Sequence, residues 1–386
     1  MRIDGHDYTV VTRAGVFAHD VEDPAAILLA RHVAITAGDV VVHLHCRNGL
    51  FGAAAAAAGA ARVLLTDRSI VAVEAARRTL AANGVQGVDV LPGQGSHPLP
   101  PGLAADVVAI RIPREKVALL QLLRDAFDLL RIGGRLYLAG ATNEGIRSAA
   151  TTAGRIFGNS ETVAHGSGHR VVVAVKLAAA PADPQPLESP WLDHDAFRET
   201  RVNLRGVELT VCARPGVFSW DGVDEATSLL AEALADAMDV RACHSLLDLG
   251  CGTGVLGVLA ARLAPDCDVC MVDDDVEAVR SAARTATVAG VLNATALASD
   301  VVAAVADRRF DVIATNPPFH VGRATNLDLP LRFIHGARQV LAPGGRLFLV
   351  ANRTLPYEAA IRAVFGSTGT VREGRRFKVL SASSPD

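Results

Sequence analysis

The chain is short of lysine. Lys116, Lys176 and Lys378 are the only three lysines among 38 basic residues, and against 41 acidic residues the formal net charge is -3. A chain of that balance carries no global positive field, so any contact with nucleic-acid phosphates must come from a local patch. A long apolar run is missing too. The N-terminus, MRIDGHDYTVVTRAGVF, has no hydrophobic core of signal type, and the alanine run from Ala53 to Ala58 is too short and too weakly apolar to cross a bilayer. These absences predict a cytoplasmic protein with no membrane association. Cysteines are few. Cys46, Cys212, Cys243, Cys251, Cys267 and Cys270 are scattered through apolar segments, which suits a reducing compartment. Cys267 and Cys270 form a C-x-x-C, but no second close pair completes a tetrahedral site, and no metal is expected.

What is present is length and apolar content. At 386 residues and 50% hydrophobic, the chain predicts two domains with ample cores. Its organising stretch is SLLDLGCGTGVLG, Ser245 to Gly257. Leu246, Leu247 and Leu249 suit a buried parallel strand, and Gly250, Gly252 and Gly254 break it before an apolar helix begins at Val255. Glycines there permit unusual dihedrals and close approach of a ligand, and the open amides at the helix start favour an anion. Gly252, Gly254 and Gly257 with Asp273 also fit a dinucleotide fingerprint. The upstream Asp248 and Gly250 favour a ligand that carries an ammonium group, as S-adenosylmethionine does.

A second stretch narrows the choice. Phe310 to Thr315 reads as a buried strand and runs into Asn316, Pro317, Pro318, Phe319 and His320. Two successive prolines hold the backbone extended with free carbonyls, a loop able to present acceptors to an amine. With this motif the chain resembles the class I S-adenosylmethionine methyltransferases of the N-P-P-[FY] type, which act on planar nitrogens. Through RPGVFSWDGVDEATSLL, LLDLGCGTGVLG, ATNPPFH, LAPGGRLFLVANRTLPY and GRRFKV it resembles the ribosomal RNA guanine-N2 methyltransferases, which pair a degenerate first domain with a catalytic second one. Trp220 stands where that pattern has a basic residue.

The resemblance implies an α/β fold: two tandem Rossmann-like methyltransferase domains, each a mostly parallel seven-stranded sheet with a C-terminal antiparallel hairpin. It implies S-adenosyl-L-methionine as cofactor and transfer of its methyl group to the N2 amine of a guanine in ribosomal RNA or a ribosomal subunit. Asn316, Pro317, Pro318 and Phe319 would carry the chemistry. Asp248, Gly250, Cys251, Gly252, Gly254, Asp273, Asp300 and Asn316 would hold the cofactor, with Asp273 on the ribose and Asp300 on the adenine amine. Phe319, His320 and the basic cluster Arg375, Arg376 and Lys378 would meet the substrate. Two other readings remain open: an N-methyltransferase acting on protein glutamine or DNA adenine, and a non-catalytic RNA-binding or ribosome assembly factor.

The first half repeats the second. Arg13 to Ala30 lies on Arg214 to Ala231, Val41 to Gly52 on Leu246 to Gly257, Asp67 on Asp273, Ala105 to Arg114 on Phe310 to Phe319, and Ile132 to Gly140 on Pro343 to Ala351. This is duplication of a whole domain. The first copy has His43 for Asp248, His45 for Gly250, Arg47 for Gly252 and Arg111 for Asn316, so bulky side chains fill the cofactor's place. Arg47, Arg111 and Arg114 are candidates for phosphate contact or for solvated surface. The expected organisation is a degenerate domain over 1–177, a Pro/Ala-rich linker over 178–190 and a catalytic domain over 191–386. A fused copy can replace a second subunit, so a monomer is expected.

Overall fold

The computed structural model describes residues 1–3, 5–16, 19, 21–238, 243–318 and 328–384. Two compact units divide it, Met1–Ala196 and Phe197–Asp386. Each holds one seven-stranded sheet with the same strand order.

In the second unit that order is Ala294–Ala298, Asp268–Asp273, Ser245–Leu249, Phe310–Thr315, Leu341–Asn352, Phe377–Ser383 and Gly369–Glu373. The first five strands are parallel, and the last two pair antiparallel. Side chains alternate between the two faces along each strand, and helices cover both faces, so the central strands are apolar throughout. Leu246, Val269, Met271 and Ala314 pack into one core. Leu247, Leu249, Cys270 and Ile313 pack into the other. The chain order reverses between Ser245–Leu249 and its neighbours on either side, which makes the carboxyl ends of Ser245–Leu249 and Phe310–Thr315 the switch point where open α/β sheets bind ligands.

The first unit repeats this with Val88–Pro92, Arg62–Asp67, Val40–Leu44, Ala105–Arg111, Leu130–Ala141, His169–Val175 and Glu161–Gly166. Its hairpin strands follow the same antiparallel pattern.

A separate hairpin precedes the second sheet. Arg198–Leu204 pairs with Val207–Ala213. The two turn residues, Arg205 and Gly206, have φ of 55° and 81°, the left-handed pair that tight hairpins need. Cys212 N–H donates to Thr285 Oγ1 at 3.0 Å, and the buried Arg214 Nε meets Glu277 Oε2 at 2.9 Å, so the hairpin is fastened to the helix Val276–Ala289.

The stretch read as a linker belongs to the first unit. Ala182 N–H donates to Ile156 O at 2.8 Å, Arg155 Nε donates to Asp183 at 2.7 Å, and Leu187 packs on the first unit's core. His194 and Asp125 meet at 2.9 Å, which extends the attachment past residue 190. Composition alone suggested a linker, but one leucine, one ion pair and one backbone hydrogen bond fasten it.

Candidate active site

The glycine loop follows from strand ends that are tied together. Gly250 and Cys251 N–H both donate to Val272 O, at 2.8 and 2.9 Å, and Thr315 Oγ1 donates to Leu249 O at 2.7 Å. Gly254 starts the helix Val255–Leu263 in the left-handed region, where a Cβ would come within 2.8 Å of the Ala282 backbone, so that glycine serves close helix packing. Gly252 is different. Its φ is +53°, and a Cβ built on it would meet nothing within 4 Å, so this turn of the loop faces open space. The cradle therefore fits a ligand that approaches Gly252. Cys251 is packed inside, its thiol pushed well above the usual range by burial and by Asp273 and Asp248.

Two carboxylates brace the loop. Asp248 lies buried beneath it, with Oδ2 accepting from Gly257 N–H at 2.9 Å, and burial pushes its pKa up to about 7. Asp273 Oδ2 accepts from Gly252 N–H at 2.9 Å and its Oδ1 from Asp275 N–H at 3.0 Å. Burial, then the neighbouring Asp274 and Asp275, raise its pKa to about 8. The helix that follows is capped by Asp275, not Asp273. That leaves Asp273 half-buried at the strand end, bound to the Gly252 turn of the loop. Ser299 N–H donates to Asp273 O at 2.8 Å and carries the next turn alongside, where Asp300 Oδ1 accepts from Arg332 at 2.7 Å.

Across the switch point stands Asn316, with Pro317 buried and Pro318 exposed. Asn316 Nδ2 donates to Thr227 Oγ1 at 2.9 Å, and Thr227 Oγ1 donates to Asp224 Oδ2 at 2.6 Å. Neither Thr227 nor Asp224 was singled out from the sequence. The signal was present in the duplication, where Asp23 repeats Asp224, but a contact across 89 residues has no local mark. Phe319 and His320 lie outside the described residues.

The expected basic cluster divides. Arg375 and Arg376 are exposed, and Arg376 lies 3.7 Å from Glu225, the neighbour of Asp224, which sets it beside the Asn316 side of the site. Lys378 corrects the expectation: it is buried, pairs with Glu358 and donates to Arg353 O at 3.2 Å, so it is not a surface cation. At Trp220, which lies in a turn, the Arg198 guanidinium of the neighbouring hairpin sits 4.9 Å over the indole ring. Cys267 approaches Cys243, Sγ to Sγ 3.1 Å, while Cys270 packs on the opposite face of the sheet. Among the described residues no group of three His, Cys, Asp or Glu could hold a metal ion, and no helix is long and apolar enough to cross a membrane.

The first unit retains the loop's backbone. His45 and Arg47 have φ of 62° and 57° where Gly250 and Gly252 have 75° and 53°. Arg47 N–H donates to Asp67 Oδ2 at 2.8 Å, as Gly252 does to Asp273. The cradle, however, is filled. Arg111 is 2% exposed and pairs with Asp23 at 2.9 Å and Glu144 at 2.7 Å, and Arg47 is 8% exposed. Neither arginine is available to a phosphate or to solvent, which corrects both readings offered for them; Arg114 is exposed. His43 and His45 are held neutral, their pKa values lowered to about 3 by burial first, then by the His45 ring and Arg47 around His43 and by Arg47 beside His45.

A glycine cradle and an Asn-Pro-Pro loop, facing each other at the switch point of this strand order, define a class I S-adenosylmethionine-dependent methyltransferase. The family model described as "Methyltransferase small domain" matches residues 7–173 and 208–381, once in each unit. The ribosomal RNA small subunit methyltransferase C of Hahella chejuensis is 34% identical over 286 residues, 74% of this chain and 79% of that protein. The ribosomal RNA large subunit methyltransferase G of Streptomyces avermitilis is 30% identical over 93% of this chain and 92% of its own. Among solved structures, the T. thermophilus 16S rRNA N2 G1207 methyltransferase, in complex with AdoMet and guanosine, is 32% identical with a TM-score of 0.82, covering 97% of this chain and 95% of that one. The chain belongs to the methyltransferase small-domain family, in its branch of ribosomal RNA methyltransferases.

Proposed function

We propose that this protein methylates the exocyclic N2 amine of a guanine in ribosomal RNA, in the cytoplasm and as a monomer. The observation that carries the reading is the placement of Asn316, its amide anchored by the NH2 end to Thr227 across the switch point from the open face of Gly252. That anchoring leaves the carbonyl end of the amide for an amine. The likeness to a guanosine-bound relative supports guanine as the base.

In this reading Gly250 to Gly254 cradle the cofactor, Asp273 accepts from the ribose hydroxyls, Asp248 supplies negative charge near the ammonium, and Asp300 faces the adenine. Bound there, S-adenosylmethionine supplies an electrophilic methyl group on its sulfonium. The guanine N2 lone pair is delocalised into the ring, which makes it a weak nucleophile. Asn316 Oδ1 and the Pro317 carbonyl accept from its two N–H bonds, localise the lone pair and aim it, a contribution of positioning and electrostatics. As the N–C bond forms, the methyl C–S bond would break and leave a neutral thioether; the nitrogen's proton becomes acidic and passes to water, so no strong general base is needed. The base must leave its stack, at a cost of a few kcal/mol. Phe319 offsets this by stacking, worth roughly 1–3 kcal/mol. His320 helps to hold the base, and Arg375 and Arg376 take backbone phosphates.

Asn316→Ala tests the reading. Turnover should fall by about a hundredfold, as for loss of one preorganised hydrogen-bonding group, with cofactor affinity by calorimetry within about threefold of wild type. Turnover near wild type would remove Asn316 from the chemistry.

A further inference from the structure

Asn316 is held from outside its own loop. Its Nδ2 donates to Thr227 Oγ1 at 2.9 Å, and that hydroxyl donates to Asp224 Oδ2 at 2.6 Å. Asp224 is fixed in turn at the start of the helix Glu225–Met238, where Oδ1 accepts from the N–H groups of Ala226 at 2.9 Å and Thr227 at 3.1 Å. We propose that Asp224 and Thr227 are positioning residues that fix which end of the Asn316 amide faces the amine to be methylated. The proposal rests on the role given to Asn316 above.

The argument is one of hydrogen-bond polarity. A carboxylate only accepts, so the single hydroxyl proton of Thr227 is committed to Asp224. The Thr227 oxygen can then only accept, and of the two ends of an amide only the NH2 end donates. Asn316 must therefore turn its NH2 to Thr227 and its Oδ1 the other way. Without the relay the two ends are nearly isosteric, and in the flipped state NH2 would face the N–H donors of the substrate amine. A flipped Asn316 is worse than a missing hydrogen bond, because donor opposes donor.

The duplicated unit supplies an independent observation. Asp23, at the position of Asp224, caps the helix Pro24–His32 through the N–H groups of Ala25 at 3.1 Å and Ala26 at 3.4 Å. It also reaches the residue in the place of Asn316: Arg111 Nε lies 2.9 Å from Asp23 Oδ2 and its Nη2 3.2 Å from Oδ1. Ala26 stands where Thr227 does. Where the loop residue is a long arginine, the carboxylate grips it directly and no hydroxyl is present; where it is a short asparagine, a threonine spans the gap. The link from helix cap to loop survives in both copies although the loop residue differs.

Four variants of the full chain test this, read by single-turnover methyl transfer, cofactor affinity and Tm. Thr227→Val removes the hydroxyl at near-constant shape and should slow transfer by about ten- to a hundredfold, the scale of a misplaced reacting group, with affinity and Tm unchanged. Thr227→Ser should recover to within about threefold of wild type. Asp224→Asn keeps the helix cap, since Asn caps as well as Asp. Its new NH2 donates to Thr227 and reverses the relay, so it should lose as much rate as Thr227→Val. Combined with Asn316→Ala, Thr227→Val should cost nothing further, as expected of residues acting through one group. Wild-type transfer by Thr227→Val while Asn316→Ala is slow would overturn the relay alone. Wild-type transfer by Asn316→Ala would overturn the assignment beneath it. Loss in Thr227→Val that follows a lowered Tm and is not recovered by serine would make Thr227 a packing residue and also overturn the proposal.

Discussion

Gly252 and Arg47 occupy equivalent turns with φ of 53° and 57°, yet one turn is open and the other filled. The left-handed backbone costs a non-glycine residue about 1–3 kcal/mol, and the first unit bears that cost at both His45 and Arg47. A Cβ at Gly252 meets nothing within 4 Å, so Gly252→Arg should fold, with a stability loss of about 1–3 kcal/mol, and should lose cofactor binding. Unchanged affinity by calorimetry would contradict the placement of the cofactor over this turn. Asp248 sets a pH dependence. Its pKa of about 7 without ligand exceeds the usual carboxylate value, so near neutrality it is partly protonated, and an ammonium ligand favours the ionised form. The Asp248 share of cofactor affinity should therefore be nearly full by pH 8 and fall as pH drops through 7, by about tenfold between pH 8 and 6. Asp273, at about 8, adds a slope of the same sign at higher pH. In Asp248→Asn the profile should be shallower, with the remaining fall beginning near pH 8 and continuing below it; a wild-type profile in that variant would remove Asp248 from the linkage. The glycines, Asp273 and Asn316 were legible because each sits at a strand end with an adjacent motif. The burial of Lys378, Arg47 and Arg111 was not, since a charged residue reads as surface until its partners, far along the chain, are placed beside it.

At the scale of elements, both units tie the aspartate that precedes a helix to the end of a neighbouring strand. In the first unit the tie is ionic and buried: Arg111, at the end of Ala105–Arg111, serves Asp23 and Glu144 together. Removing it by Arg111→Ala leaves two carboxylates without their cation and should cost about 3–5 kcal/mol in the unfolding of that unit, measured in urea. Arg111→Lys should also lose stability, because one ammonium cannot reproduce two forked contacts. A change below about 1 kcal/mol in Arg111→Ala would mean that the cluster does not hold the helix to the sheet. Strands and helices were readable from apolar runs punctuated by glycine. The short 3-10 turn Gln185–Leu187 was hidden inside a proline-rich composition that usually signals a free linker.

For the whole molecule, the duplication carried most of the architecture. Two stretches of one chain that share the glycines at the helix start (Gly49 and Gly52, Gly254 and Gly257), a strand-end aspartate and a Gly-Gly-Arg strand entry must share a fold, and the two sheets have the same order. The unit boundary after Ala196 lies beyond the expected linker because contacts, not composition, decide where a domain ends. The same comparison distinguishes the two cradles: one is open at Gly252, the other closed by the buried Arg47 and Arg111. The most direct test of the central claim is transfer of tritiated methyl from S-adenosylmethionine to separated small and large ribosomal subunits from a strain lacking this protein, followed by nucleoside analysis. Label recovered as N2-methylguanosine from the RNA of one subunit is the predicted result. Absence of label from both subunits, with cofactor binding confirmed, or label on any other nucleoside, would contradict it.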